Sequence, residues 1–362
     1  MYVAGMKTIN DFKETDLTRS TLDLGAYVLP GRVVDPLPGL QQAVIGEELG
    51  LGSIWVAERW EKKEIASVLG ALSQKTSKVK IVAGMTHFGT RHPIVLAGMA
   101  STLQALSGDR FVLGFGRSVA FIWKSLGIPL PVNAAMADYA KILRALWAGE
   151  TVNYDGPAGR YPNMRMPEIP AVPPPMILAA IGPKTLALAG QHFDGVVLHP
   201  FLTTEGVARS VAIVKRAAEE AGRDPAAVKI YSEVVVAPDG DDEQVMSAVK
   251  MRAITYFTIR DLGAQLIAMN GWDPAPMEKL LADPRYFNIE GQKGTHEEVR
   301  ARAREAVSIL PEEWITTGAA IGSSASVASQ VAGFRAAGAD EIVLHGTTPD
   351  GLSGLVSAYG NL

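Results

Sequence analysis

The chain has no cysteine in its 362 residues. Disulfides, thiolate metal sites and a cysteine nucleophile are therefore excluded, and the composition suits a cytoplasmic protein. An excess of one charge is also missing: 34 Lys and Arg stand against 38 Asp and Glu, a formal net charge of −4. Such a balance gives no general attraction to nucleic acid or to an anionic membrane, so an anionic ligand must be met by a local cluster of cations. No apolar run is long enough to span a bilayer, and residues 1–21 lack the apolar core of a signal peptide. The 6 histidines form neither HxH nor HExxH, which argues against a metal hydrolase. There is no GxSxG elbow for a serine hydrolase. Gly25 and Gly31 do not make the glycine fingerprint of a doubly wound dinucleotide fold.

What is present is an alternation of strands and helices. Apolar residues make up 48% of the chain, enough for a substantial core. Period-2 and buried apolar runs predict strands over 22–28, 53–57, 79–85, 110–115, 175–180, 194–198, 229–236 and 340–345. Helical spacing predicts helices over 38–49, 63–75, 93–106, 135–148, 184–191, 204–221 and 325–337. Residues 149–174, rich in Pro and Gly, read as an excursion with a hairpin, and 241–313 read as a largely helical insertion. Strands separated by helices predict an α/β fold: one (β/α)8 TIM-barrel domain over 1–362, with insertions after the fourth and seventh strands.

In such a barrel the chemistry is expected where strands end. The second strand exits into Glu58-Arg59-Trp60-Glu61-Lys62-Lys63-Glu64. Glu58, the first charged residue past it, can accept a hydrogen bond from a ligand or hold a proton; Lys62 and Lys63 are expected on the surface. The third exits into Gly84, Met85, Thr86 and His87. His87 reads either as a proton donor or as a hydrogen-bonded pocket residue, and Arg91 as an anion clamp or the partner of a carboxylate. His92, before Pro93, suits a helix start. Past the fourth strand, Gly114, Gly116 and Arg117 permit close backbone approach to a ligand. Past the fifth, Ala179, Ala180, Gly182, Pro183 and Lys184 read as small residues leading into an anion-binding helix start. His199 and His345 are expected to face the mouth. Met246, Met251, Tyr256, Phe257, Met269 and Trp272 are either helix packing or an apolar lid.

Five segments in order carry a family resemblance: Trp55-Val56-Ala57-Glu58-Arg59; Thr90-Arg91-His92-Pro93; Ser107-Gly108-Asp109-Arg110 with Leu113-Gly114-Phe115-Gly116; Ala179 to Lys184 followed by Asp194-Gly195; and Ala336-Ala337-Gly338-Ala339-Asp340. From about Leu22 to His345 the chain resembles the bacterial luciferase-like flavin and deazaflavin oxidoreductases. Glu58-Arg59 with Lys63-Glu64 is similar to the actinobacterial branch that uses coenzyme F420. The resemblance implies a (β/α)8 barrel that holds a tricyclic ring at its C-terminal mouth. It implies a strand-3 bulge with a non-proline cis peptide, which falls at Gly84-Met85. Glu58 would lie near the ring and His87 would move the proton. Thr86, Gly114, Ala179 and Ala180 would flank the cofactor, whose phosphate and acidic tail would meet Gly116, Arg117, Gly182, Pro183 and Lys184. Two departures stand out: Arg59 replaces the usual histidine, and Arg117-Ser118-Val119-Ala120 lacks the glutamate carried there by relatives that oxidise sugar phosphates. The implied activity is hydride transfer between F420 and a small organic carbonyl, alcohol or enone, in a homodimer. An FMN-dependent monooxygenase using reduced flavin and oxygen is the alternative, and a non-catalytic carrier the third possibility. Retention of Glu58, His87, Arg91 and Arg117 argues against the carrier.

Overall fold

Eleven strands order the chain in the computed structural model, which describes residues 23–29, 35–59, 62–286 and 295–362. Leu22, Gly31, Trp60 and Glu61 lie outside the described residues. The strands are β1 (Leu24–Tyr27), β2 (Ser53–Val56), β3 (Lys80–His87), β4 (Phe111–Gly116), β5 (Val152–Gly156), β6 (Gly159–Met164), β7 (Met176–Ala180), β8 (Gly195–Leu198), β9 (Lys229–Pro238), β10 (Ala319–Gly322) and β11 (Glu341–His345). Parallel pairing runs β1-β2-β3-β4-β7-β8-β9-β11 and returns to β1, a closed barrel of eight. The (β/α)8 expectation holds. β5 and β6 pair antiparallel as the hairpin expected in 149–174.

The strand set has one member more than expected. β9 is long enough to pair with β11 over Tyr231–Val235 and with β10 over Val235–Pro238. β10 is Ala-Ala-Ile-Gly, with one β-branched residue, so its composition carries almost no strand signal. Helices Ala120–Leu126 and Ser353–Gly360 were also unexpected; both are short and bounded by glycine or loop residues.

The barrel interior is packed, not hollow. Tyr27, Trp55, Val82, Val112, Ile177, Val197, Tyr231 and Val343 form one cluster, one side chain from each ring strand. Alternate residues of the same strands, such as Leu24, Ile54, Ile81 and Leu113, face outward into the main core with the helices. Complete burial of Ile54 or Leu72 contributes at most roughly 1.5–3 kcal/mol each. Period 2 fixes the next inward layer, at the C-terminal mouth: Ala57, Gly84, Gly114, Ala179, His199, Glu233 and His345, which Met85 joins where the register of β3 shifts.

The helical region after β9 differs from a lid. Trp272 stacks on Trp314 at 5.1 Å and lies 6.1 Å from Phe257, while Met269 and Phe257 are buried among helices. These residues are helix packing. Among the described residues of this region, helix Met251–Phe257 reaches the mouth with ring and charge, through Tyr256, 4.5 Å from the His199 ring, and Arg252. No described helix is long and apolar enough to cross a membrane.

Candidate active site

The β3 end is built around an extra residue. Ala83 pairs with Leu113 and Thr86 with Phe115, so three steps on β3 oppose two on β4. The irregular pair is Gly84-Met85, and the bond between them is cis, as the resemblance implied. Glycine is required around it by the protein's own packing. A Cβ on Gly84 would lie 2.5 Å from the Trp55 ring, and one on Gly114 would lie 2.3 Å from the Ala83 carbonyl and 2.7 Å from Met85 Sδ. Gly114 and Gly116 were expected to give a ligand close backbone access. The space a side chain would take on either is filled by the bulge, a Cβ on Gly116 lying 3.2 Å from Met85 Cβ.

Beside the bulge, Glu58, Thr86, His87 and Arg91 converge. Glu58 is 5% exposed, and its amide donates to the Met85 carbonyl at 3.1 Å. Arg91 grips both carboxylate oxygens, Nη2 to Oε1 at 2.6 Å and Nη1 to Oε2 at 3.0 Å. Thr86 Oγ1 donates to Oε2 at 2.5 Å and accepts from Arg91 Nη1 at 3.0 Å. His87 Nδ1 lies 3.7 Å from Glu58 Oε2. Burial alone would raise the Glu58 pKa, but contacts with His87, Arg91 and Thr86 outweigh it and lower the value to about 2. Of the two readings of Arg91, the carboxylate partner is the one observed.

Local sequence explains how Arg91 is held. Glu64 caps helix Ile65–Lys75, its Oε2 accepting from the Ser67 amide at 2.7 Å, while its Oε1 accepts from Arg91 Nη2 at 2.7 Å. Tyr139 Oη donates to the Arg91 carbonyl at 2.5 Å. His92 caps helix Pro93–Ser107, the structural role expected for it. Lys63, expected on the surface, is 8% exposed, where its amide donates to the Arg59 carbonyl at 2.7 Å and pairs the residue back onto the β2 exit. The His87 ring meets Trp123 edge-on at 5.8 Å, and Trp123 Nε1 donates to the Arg117 carbonyl.

The remaining expected residues divide. Ala179 faces the mouth, but Ala180 is buried in the outer core, as alternation along β7 demands. Its side chain therefore lies off the mouth. Gly182 is the N-cap of helix Pro183–His192 with no side-chain cap, and the Lys184 and Arg117 side chains are exposed on the rims of neighbouring strands β7 and β4. Gln265 also reaches this rim: a Cβ on Gly182 would meet its Oε1 at 2.6 Å.

Across the barrel from β3 stands a polar set in which His199 and His345 face the mouth as expected, while Tyr27 and Glu233 were not anticipated. Tyr27 Oη donates to Glu233 Oε1 at 2.5 Å. The Tyr27 ring lies 4.6 Å from His345, and His345 Nε2 faces Arg252 Nη1 at 3.1 Å. A guanidinium only donates, so His345 Nε2 accepts and the imidazole is neutral. Burial, Arg252, His199 and Arg59 all push its pKa well down. His199 Nδ1 lies 2.9 Å from the Pro200 carbonyl, so Nδ1 carries the proton and Nε2 is an acceptor. Burial lowers its pKa to about 4. Burial raises Glu233 to about 7, against the lowering effects of Tyr27 and Arg252. A carboxylate two positions beyond inward-facing Tyr231 was the available signal for Glu233.

The mouth is thus two-sided. Ala57, Gly114 and Ala179 leave a shallow, small-residue half; Tyr27, His199, Glu233 and His345 make a polar half. That division fits a flat ring laid on one side and polar groups of ring or substrate met on the other.

The family model for luciferase-like monooxygenases matches residues 22–341, so the chain belongs to that family. It is 28% identical over 238 residues to the 5,10-methylenetetrahydromethanopterin reductase of Methanolobus tindarius, covering 64% of this chain and 71% of that protein. It is 26% identical over 254 residues to the F420-dependent hydroxymycolic acid dehydrogenase of Mycobacterium tuberculosis, covering 67% and 69%. The solved structure of the coenzyme F420-dependent tetrahydromethanopterin reductase from Methanopyrus kandleri superposes with a TM-score of 0.75 at 18% identity, covering 93% of this chain and 97% of that one.

Proposed function

From that membership we propose that the protein is an oxidoreductase that transfers a hydride between coenzyme F420 and an organic carbonyl, alcohol or enone. The observation that carries this reading is the bulged β3 end beside a small-residue floor, in a chain whose relatives include proteins named as F420-dependent.

When bound, the deazaflavin supplies a carbon that gives or takes a hydride. The protein's task is to position and to exclude water. Gly84, Met85, Thr86, Gly114 and Ala179 would wall the ring, with Gly116, Arg117, Gly182, Pro183 and Lys184 toward its anionic tail. Glu58 stays charged and orients: both its oxygens are already engaged, so it is poorly suited to carry a proton. His87, held between Glu58 and Trp123, is the proton-exchanging side chain of this wall.

Fluorescence titration with F420 and with FMN tests the reading. Saturable F420 binding tighter than FMN is expected; FMN binding with no F420 response overturns it. The family description itself favours a second reading, an FMN-dependent monooxygenase. Substrate-dependent oxygen consumption with reduced FMN would establish that alternative. A homodimer is part of the proposal, to be read as twice the chain mass by light scattering.

A further inference from the structure

Oxidising an alcohol or reducing a carbonyl moves a proton as well as a hydride. Glu58 is locked to Arg91, and His87 belongs to the β2–β3 wall. The opposite wall holds a titratable unit with no structural need for its charge. Tyr27 is 6% exposed and donates to Glu233 Oε1; Glu233 Oε2 makes no hydrogen bond to any described residue, and the side chain is only partly covered. An ordinary core carboxylate would have both oxygens satisfied. The Tyr27 hydroxyl also borders the bulge: a Cβ on Gly84 would sit 3.2 Å from it. The dyad therefore touches the surface on which the ring would rest.

The groups around this dyad set it apart from a salt bridge. β11 contributes His345, a neutral acceptor; β8 contributes neutral His199. Helix Met251–Phe257 contributes Arg252 and Tyr256, and the β2 exit contributes Arg59. Arg252 is engaged by His345 Nε2 and makes no hydrogen bond to Glu233 among the described residues. It follows a single π-helical turn, Met246–Lys250, a feature often found where a helix is bent to a site. One cation held off the carboxylate lets it hold either charge state.

Resting on the hydride-transfer reading above, we propose that Tyr27 and Glu233 are the proton-exchanging pair for the substrate oxygen, which makes an alcohol or its carbonyl compound, rather than an enone, the substrate class. In the oxidation direction the substrate C–H bond breaks and its electron pair leaves as hydride to the deazaflavin, which is reduced. The substrate O–H bond breaks; its proton passes to Tyr27 Oη as the Tyr27 proton passes to Glu233. The carbonyl π bond forms from the oxygen electrons. Two electrons and two hydrogens leave the alcohol, one hydrogen as hydride and one as proton. Reduction runs the same steps backward.

The test uses wild type, Tyr27→Phe and Glu233→Gln. Infrared difference spectra of the cofactor-free protein should show a carboxylic-acid stretch titrating near neutral pH, absent in Glu233→Gln and perturbed by cyclohexanone. With F420 bound, single-turnover reduction of cyclohexanone should fall on the order of 100-fold or more in each variant, with loss of the pH limb near neutrality and cofactor affinity unchanged. Variants with wild-type rates and pH profiles overturn the pair. So does a wild-type protein that binds F420 yet leaves cyclohexanone unreduced and the carboxyl band unmoved. Failure of the wild type to bind F420 at all instead overturns the cofactor reading, and the pair with it.

Discussion

Arg91 holds Glu58 by both oxygens, at 2.6 and 3.0 Å, and the same guanidinium reaches the helix-capping Glu64 at 2.7 Å. One side chain thus ties the β2 exit to the following helix and to the β3 loop. Replacing Arg91 with methionine leaves a buried, uncompensated carboxylate, and a loss of about 3–5 kcal/mol is expected in denaturant unfolding. Adding Glu58→Gln should recover part of that loss, because the orphaned charge is gone. The pair also sets an acid limit. Glu58 is lowered from 4.5 to about 2 in the folded state, so its contribution is fully present above pH 4.5. That contribution, on the order of 3 kcal/mol, is lost as pH falls through about 2. Glu58→Gln should show a shallower stability decline over that window. An unchanged slope would mean the carboxylate is not held ionised.

The bulge makes a graded prediction. Gly114→Ala drives a methyl to 2.3 Å from the Ala83 carbonyl, which is backbone and cannot swing away. Gly116→Ala meets Met85 Cβ at 3.2 Å, where a small shift suffices. Overpacking of the first kind costs roughly 1–3 kcal/mol, and it should also weaken F420 binding by displacing Met85. Gly116→Ala should cost less in both measurements. Equal tolerance of the two changes would show that the β3 end adjusts freely.

Glu233 predicts the opposite pH dependence from Glu58. Its folded pKa is raised from 4.5 to about 7. A raised value means that stability is fully present below pH 4.5 and is lost as pH rises through about 7. The loss is at most roughly 3 kcal/mol, reduced by the partial exposure of the group. Glu233→Gln removes this dependence. Relative to wild type, the variant should gain stability between about pH 5 and pH 8 in urea unfolding, since all other titrations cancel in the difference. A constant difference across that range would place the Glu233 pKa at an ordinary value.

Sequence pattern reached Glu58, His87 and Arg91 on one half of the mouth and His199 and His345 on the other, but not Tyr27 and Glu233, for a physical reason. Glu58, Thr86, His87 and Arg91 fall within 34 consecutive positions, just past strands whose apolar runs are unambiguous. Tyr27 and Glu233 are 206 positions apart and sit inside strands. There the only clue is inward phase, and phase acquires meaning once Tyr231 and Val343 are known to face the axis. Arg252 lies on a helix whose π turn sets its direction, which composition does not encode. Ala180 shows the same limit from the other side. It reads as part of a small-residue rim, and one step of alternation turns it outward.

The rim cations allow the tail of the cofactor to be tested apart from its ring. Arg117 and Lys184 are exposed side chains on adjacent strand exits, next to the uncapped start of helix Pro183–His192. Neither makes an ion pair with a described residue, so removing them should change stability by no more than about 0.5 kcal/mol. If they meet the phosphate and acidic tail, Arg117→Ala with Lys184→Ala should weaken intact F420 on the order of tenfold and flatten the salt dependence of its binding. A deazaflavin lacking the phosphate and tail should bind wild type and variant alike, because neither substituted cation belongs to the small-residue floor proposed for the ring. Equal loss for both ligands would mean that the substitutions disturb the ring floor, and the anion site would have to be sought elsewhere on the mouth.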